Sequence, residues 1–188
     1  MIIDSHCHAW EYWPYQDRND HEPNQLPVPN PETWGNVEQL IYEMGNNNID
    51  KATIVSAQIW HNPENNKYIA NSVNKYKDKL YQFADVDSNW SSTYQMEGAA
   101  DRLDEISEKL DLVGFSHYIG SDDGEWLFSE EGLKFFSESF DSIKGKTEKN
   151  LFLILSGKVG KKVKIKSDLL TEKLEDIMQW SQTKFENI

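Results

Sequence analysis

Ile2-Ile3-Asp4-Ser5-His6-Cys7-His8-Ala9 opens the chain as a short apolar run carrying two histidines two residues apart. In a strand, side chains two apart point to one face. Read this way, Asp4, His6 and His8 share a face, while Ser5 and Cys7 share the other. Two imidazoles about 7 Å apart along a strand can converge on one divalent cation. Neutral nitrogen donors suit Zn²⁺ or Fe²⁺. An isolated H-x-H also occurs as two ordinary histidines at a strand end, so the surroundings decide.

Four more apolar runs follow, at Ala52–Trp60, Leu80–Asp87, Leu112–Ile119 and Leu151–Ser156. Helical spacing fills the gaps. Val37, Leu40, Ile41 and Met44 mark one apolar stripe. Ile69, Val73 and Tyr76 mark a second, Leu103, Ile106 and Leu110 a third. Leu133, Phe136 and Phe140 mark a fourth, with Ser129 placed as its N-cap. Strands alternating with helices predict a parallel sheet covered by helices. The fold class expected is α/β of the (β/α)8 barrel type, with the first four to five β/α units present. Residues 1–140 form that part and 141–188 a divergent tail.

The segment 10–35 breaks the rhythm. It holds five of the six prolines and is rich in Trp and Tyr. It reads as a lid or binding loop over the catalytic end, with a disordered surface loop as the bland alternative. Residues 1–140 carry 9 basic and 25 acidic side chains, and residues 141–188 carry 10 and 7. The tail reads as a basic lysine-rich stretch, Lys158–Lys166, followed by an amphipathic helix.

The net charge of -13 argues against nucleic acid and anionic membranes as partners, because both select basic surfaces. One cysteine excludes an internal disulfide. No secretory signal and no membrane span is visible. A cytoplasmic protein acting on a small molecule is the expectation.

The remaining candidates sit at predicted strand ends, where barrel active sites are built. Asp87 ends the third strand and His117 the fourth, which makes both catalytic candidates. Each has a plain alternative, a turn carboxylate for Asp87 and a hydrogen-bonded core histidine for His117. His61 follows the second strand and either contacts substrate or caps the next helix. Trp10 and Trp13 of the insert are placed as pocket walls. There are two arginines, Arg18 and Arg102; Arg18, in the insert, is the substrate-facing candidate. Cys7 is read as a thiol buried under the helices.

Ile2-Ile3-Asp4-Ser5-His6-Cys7-His8 resembles the opening D-x-H-x-H motif of amidohydrolase-related proteins, and specifically the predicted TIM-barrel metal-dependent hydrolases. The similarity continues through His61-Asn62-Pro63-Glu64-Asn65-Asn66, Gln82-Phe83-Ala84-Asp85-Val86-Asp87, Gly114-Phe115-Ser116-His117-Tyr118 and Ser129–Phe136. The resemblance implies an eight-stranded barrel and a divalent metal, often zinc. His6 and His8 would be ligands, and a metal-activated water would attack a carbonyl or similar bond. It also implies a later histidine ligand and a final aspartate, which have no counterparts after His117. The chain is therefore expected to be a C-terminally truncated member, with homo-oligomerisation as a means of covering open strand edges. An inactive remnant, or a decarboxylase of the same superfamily, are the alternatives to a hydrolase.

Overall fold

The structure, a computed structural model, describes residues 1–17, 25–120, 126, 129–144 and 154–156. The elements run β1 (Ile3–Cys7), α1 (Val37–Asn46), β2 (Lys51–Val55), α2 (Asn65–Lys75), β3 (Leu80–Asp85), α3 (Ala99–Lys109), β4 (Gly114–Tyr118), α4 (Glu130–Lys144) and β5 (Ile154–Ser156). The five strands form one sheet in the order β1-β2-β3-β4-β5. Every neighbouring pair is parallel.

The packing shows on which face the helices lie. Leu80, Ala84 and Val86 alternate along β3 and its end, so they point the same way. Leu80 packs with Val37 and Met44 of α1 and Ile69 of α2. Ala84 and Val86 pack with Leu103 of α3 and Phe135 of α4. All four helices therefore cover one face. A sheet wound singly, with sequence neighbours adjacent, is the barrel arrangement rather than the doubly wound one. The described part is an α/β parallel sheet consistent with a partial barrel.

Local chemistry fixes the element ends. Asn36 Oδ1 accepts from the Gln39 N–H, and Gln39 Oε1 accepts from the Gly35 N–H, which closes the start of α1 reciprocally. Ser129 Oγ accepts from the Gly132 N–H, so the expected N-cap of α4 is present. Glu131 reaches from α4 to the start of α3, where one carboxylate oxygen accepts from Gly98 and Ala99 N–H at 2.8 and 3.0 Å. This ties two helices and satisfies two donors that a helix start leaves open. α4 runs through residue 140 without a break, and the described tail residues add β5 beside β4. The lysine-rich stretch and the terminal amphipathic helix lie outside the described residues.

The insert is folded where it is described. The Trp10 N–H donates to Gly35 O at 3.0 Å and the Trp13 N–H to Pro31 O at 2.7 Å, so its two ends are held together. Trp13 Nε1 donates to Leu26 O and the Val28 N–H to Gln16 Oε1. Gly35 has φ +70°, and a Cβ there would meet Trp10 Cδ1 at 3.4 Å. The backbone conformation is what favours glycine here, since the ring would give a Cβ only ordinary contact. Among the described residues no helix is long and apolar enough to cross a membrane.

Candidate functional site

The face opposite the helices carries the alternate positions. Val55 of β2, Phe83 and Asp85 of β3, and Ser116 and Tyr118 of β4 lie there by register. His8 extends this layer, because its Nδ1 lies 2.7 Å from Val55 O. A carbonyl can only accept, so Nδ1 carries the proton and Nε2 keeps its lone pair. That is how proteins commonly orient an imidazole for a metal. Burial lowers the pKa of His8; the Val55 hydrogen bond opposes this, and His6 adds to it. His8 as a residue is nonetheless exposed to solvent. His6 is exposed, with its ring centroid 5.2 Å from that of His8. Trp10 stacks on His8 at 5.5 Å.

β1 corrects one expectation. Its register slips between Asp4, opposite Ala52, and Cys7, opposite Ile54, so three steps of β1 match two of β2. Such a bulge reverses the alternation. Asp4 turns away from the histidines' face, and one carboxylate oxygen accepts from the His6 N–H at 3.1 Å. Cys7 packs against the helix-side core, with Sγ 3.4 Å from Thr53 O. Burial, then the Asp4 charge, pushes its thiol up to about 12, so it stays protonated.

Asp87 and His117 take the places of their plain alternatives, a loop carboxylate and a buried histidine. Asp87 adopts φ +47° and its buried carboxylate is held by Arg102. Arg102 Nε lies 3.1 and 2.8 Å from the two oxygens. Thr93 Oγ1 donates to the same carboxylate at 2.6 Å. The guanidinium also reaches the carbonyls of Thr93, Met96 and Glu97, so the pair organises the β3–α3 loop. His117 shares its face with Phe115 and lies under α4. It is fully buried among Tyr94, Trp126, Phe135 and Phe136. Its Nδ1 donates to Val86 O at 2.9 Å, and its Nε2 has no hydrogen-bond partner. His117 is thus placed as a core histidine, on the side away from His6 and His8.

This placement predicts acid sensitivity. Burial lowers the His117 pKa below 6.5, against the Val86 hydrogen bond and the Asp87 charge, which raise it. The folded state therefore binds fewer protons than the unfolded one. The stability is fully present above about pH 6.5 and is lost as pH falls through the lower folded value. Urea midpoints should drop between pH 7.5 and 5.0, and less steeply in His117→Gln. Equal pH slopes for both proteins would reject the assignment.

The other candidates fall at the rim. His61 is exposed, with Nε2 2.8 Å from Asp17 of the insert and its ring 4.9 Å from that of Tyr12. Trp10 is buried at 5% exposure and Trp13 is half-buried, so they form walls rather than open platforms. Arg18 lies outside the described residues.

Sequence reading missed the residues that tie this end together. Asn62 Oδ1 accepts from the Glu11 and Tyr12 N–H, and its Nδ2 donates to Tyr12 O. Asn65 joins Ala57 to Ala9 O. Asn66 pairs with both backbone groups of Asp85. Asp85 itself is 1% exposed and accepts from Gln58 N–H and Trp90 Nε1, each at 2.7 Å, and from Ser88 Oγ. Burial raises its pKa against these donors. Tyr118 is pushed up to about 12, by burial first and then by Asp85 and Tyr15. Three asparagines and a histidine packed into six residues, His61–Asn66, were the available signal.

The arrangement offers two nitrogen donors for a cation. Among the described residues no group of three His, Cys, Asp or Glu side chains is placed to hold a metal. The pair fits part of a Zn²⁺ ligand set, which ordinarily takes three or four protein ligands.

No protein-family model matches the chain, and no curated protein matches it. Among solved structures it is similar to a probable 2-pyrone-4,6-dicarboxylic acid hydrolase from Acinetobacter baumannii with citric acid bound. The TM-score is 0.52 at 16% identity, over 82% of this chain and 48% of that one. The chain spans about half the length of that protein. At this identity the likeness speaks for the fold.

Proposed function

We propose that this chain has the active-site end of a metal-dependent hydrolase of the amidohydrolase-related type, acting on a small molecule. The observation that carries the reading is the His6–His8 pair, set at the C-terminal end of β1 on the face away from the helices. The Val55 carbonyl fixes His8 with Nε2 available. The fold likeness to a probable hydrolase supports the same reading. His6 and His8 would hold a divalent cation, Zn²⁺ by donor type. The cation would supply an activated water. The dicarboxylic acid in that hydrolase's name does not suit the described residues here, because Arg102 is committed to Asp87 and to loop carbonyls.

The test is Zn²⁺ titration by calorimetry, with lactone, ester and amide hydrolysis followed in parallel. His6→Ala and His8→Ala are each expected to weaken Zn²⁺ binding by more than about tenfold and to abolish any metal-dependent turnover. Unchanged Zn²⁺ affinity in both variants would sink the metal assignment. A non-catalytic remnant is the second reading, favoured by the lack of a third donor among the described residues. Weak, sub-stoichiometric metal with no turnover would select it.

A further inference from the structure

Where the β1–α1 insert runs into α1 the surface carries a hollow of about 480 Å³. That volume falls in the range of small-ligand sites, about 300–1,000 Å³. Trp34 and Pro29 give the hollow its apolar surface, and Asn30, Thr33, Asn36 and Gln39 add uncharged polar groups. One charged side chain is among the described residues that line it. This is Glu38, which accepts from Lys75 Nζ at 2.8 Å. Trp13 meets the Trp34 ring at 82° and 6.5 Å. The indole is braced in this way, and Trp34 is still 47% exposed.

The walls are fixed by the backbone. The Thr33 and Trp34 N–H groups donate to Asn30 O at 3.1 and 3.0 Å, and the Thr33 hydroxyl donates to the same carbonyl. The Trp13 and Trp10 N–H groups hold Pro31 O and Gly35 O from the other side. The cap of α1 also decides how two amides face. A backbone N–H can only donate, so Asn36 turns its oxygen to the Gln39 N–H, and Gln39 turns its oxygen to the Gly35 N–H. Their NH₂ groups are left for an outside acceptor. The helix start is thus partly satisfied from within, and Glu38 in its first turn disfavours an anion there.

We propose that this hollow binds a neutral sugar ring, a pyranoside, with a C–H face of the ring on Trp34 and hydroxyl oxygens accepting from Asn36 Nδ2 and Gln39 Nε2. A pyranoside has an apolar C–H patch edged by hydroxyls that both donate and accept. It therefore matches a flat indole set among uncharged hydrogen-bonding groups. The Asn30 amide and the Thr33 hydroxyl oxygen line the same hollow and can take hydroxyl protons. Neither His6 nor His8 takes part. The inference goes beyond the hydrolase reading and stands or falls apart from it.

The test is saturation-transfer NMR with methyl β-D-glucopyranoside at neutral pH. Chelator is present, so the result does not depend on metal. A dissociation constant on the order of 1 mM is expected for a ligand of this size. Glycerol has the hydroxyls without the ring face and should bind about tenfold more weakly. Trp34→Ala should cost the glucoside about tenfold, and Trp34→Phe less. Asn36→Ser keeps a good N-cap and removes the NH₂ group. Its affinity should fall about fivefold while the urea midpoint holds. No binding of the glucoside would overturn the proposal, as would glycerol binding equally well. Affinity unchanged in Trp34→Ala would also overturn it. Glucuronate binding more tightly than the glucoside would reject a neutral ligand and assign the hollow to an anion.

Discussion

Arg102→Ala is expected to cost about 3 kcal/mol of folding stability. The side chain of Asp87 is 5% exposed, and Arg102 is its cation. Removing one partner of a buried pair leaves an uncompensated charge, at about 3–5 kcal/mol. The lower end applies, because Arg102 is itself 27% exposed and Thr93 Oγ1 still donates to the carboxylate. The guanidinium contributes geometry as well as charge. It bridges Asp87 to the carbonyls of Thr93, Met96 and Glu97, a set that a lysine's single ammonium cannot reproduce. Arg102→Lys should recover part of the loss. Asp87→Asn keeps a residue type that tolerates φ +47°. In the double variant Arg102→Ala/Asp87→Asn the losses should therefore add to clearly less than their sum. Urea unfolding of the four proteins is the measurement. A loss below about 0.5 kcal/mol for Arg102→Ala, the range of ordinary surface changes, would show that the loop does not depend on this pair.

Asp85→Ala is expected to destabilise by a similar amount, on the order of 3 kcal/mol, for a different reason. Three donors lose their acceptor: Gln58 N–H, Trp90 Nε1 and Ser88 Oγ. Each buried donor left unpaired costs about 1–3 kcal/mol, and Ser88 can turn its hydroxyl elsewhere. Asp85→Asn should differ little from wild type at neutral pH. An amide oxygen can serve the two donors that share one carboxylate oxygen, and its NH₂ can face Ser88. The pH dependence separates the two variants. Burial raises the Asp85 pKa above 3.8, so the folded state binds more protons than the unfolded one across that interval. Its contribution is most favourable below the unfolded value and is lost as pH rises through the folded value. Asp85→Asn should remove this component, which has the opposite sign to that of His117. If Asp85→Asn were as damaging as Asp85→Ala, the negative charge itself would be required.

The layers of the fold were legible because strand runs and helical stripes obey simple periods. All five apolar runs overlap an observed strand, and each of the four stripes lies in a helix or at its end. Which way a side chain points was less legible. β4 is buried on both faces from Gly114 to His117, so no alternation of polarity marks His117 as helix-facing. In β1 a bulge, invisible in composition, separates Asp4 from the histidines. Asp87 looked like a strand-end carboxylate because its distance from the sheet was right. Its partner Arg102 lies fifteen residues on, in a helix, and no local pattern announces it. Asp85 was passed over because it sits inside an apolar run. Asn62, Asn65 and Asn66 act through backbone groups of distant segments, a function their residue type permits but does not declare.

The plain order of the sheet bears on how the chain is made. Among the described strands each pairs with the one synthesised before it, and none waits for a partner several units away. A chain emerging from the ribosome can therefore add one β/α unit at a time to a growing edge, with each new helix covering the strand just laid down. Low sequence separation between partners keeps the cost of closing each unit small. The strand just added and the outer side of β1 are the edges that stay open during synthesis. The same order gives insertions a natural address at the β–α junctions. The longest junction, between β1 and α1, is where the Trp- and Tyr-rich loop resides.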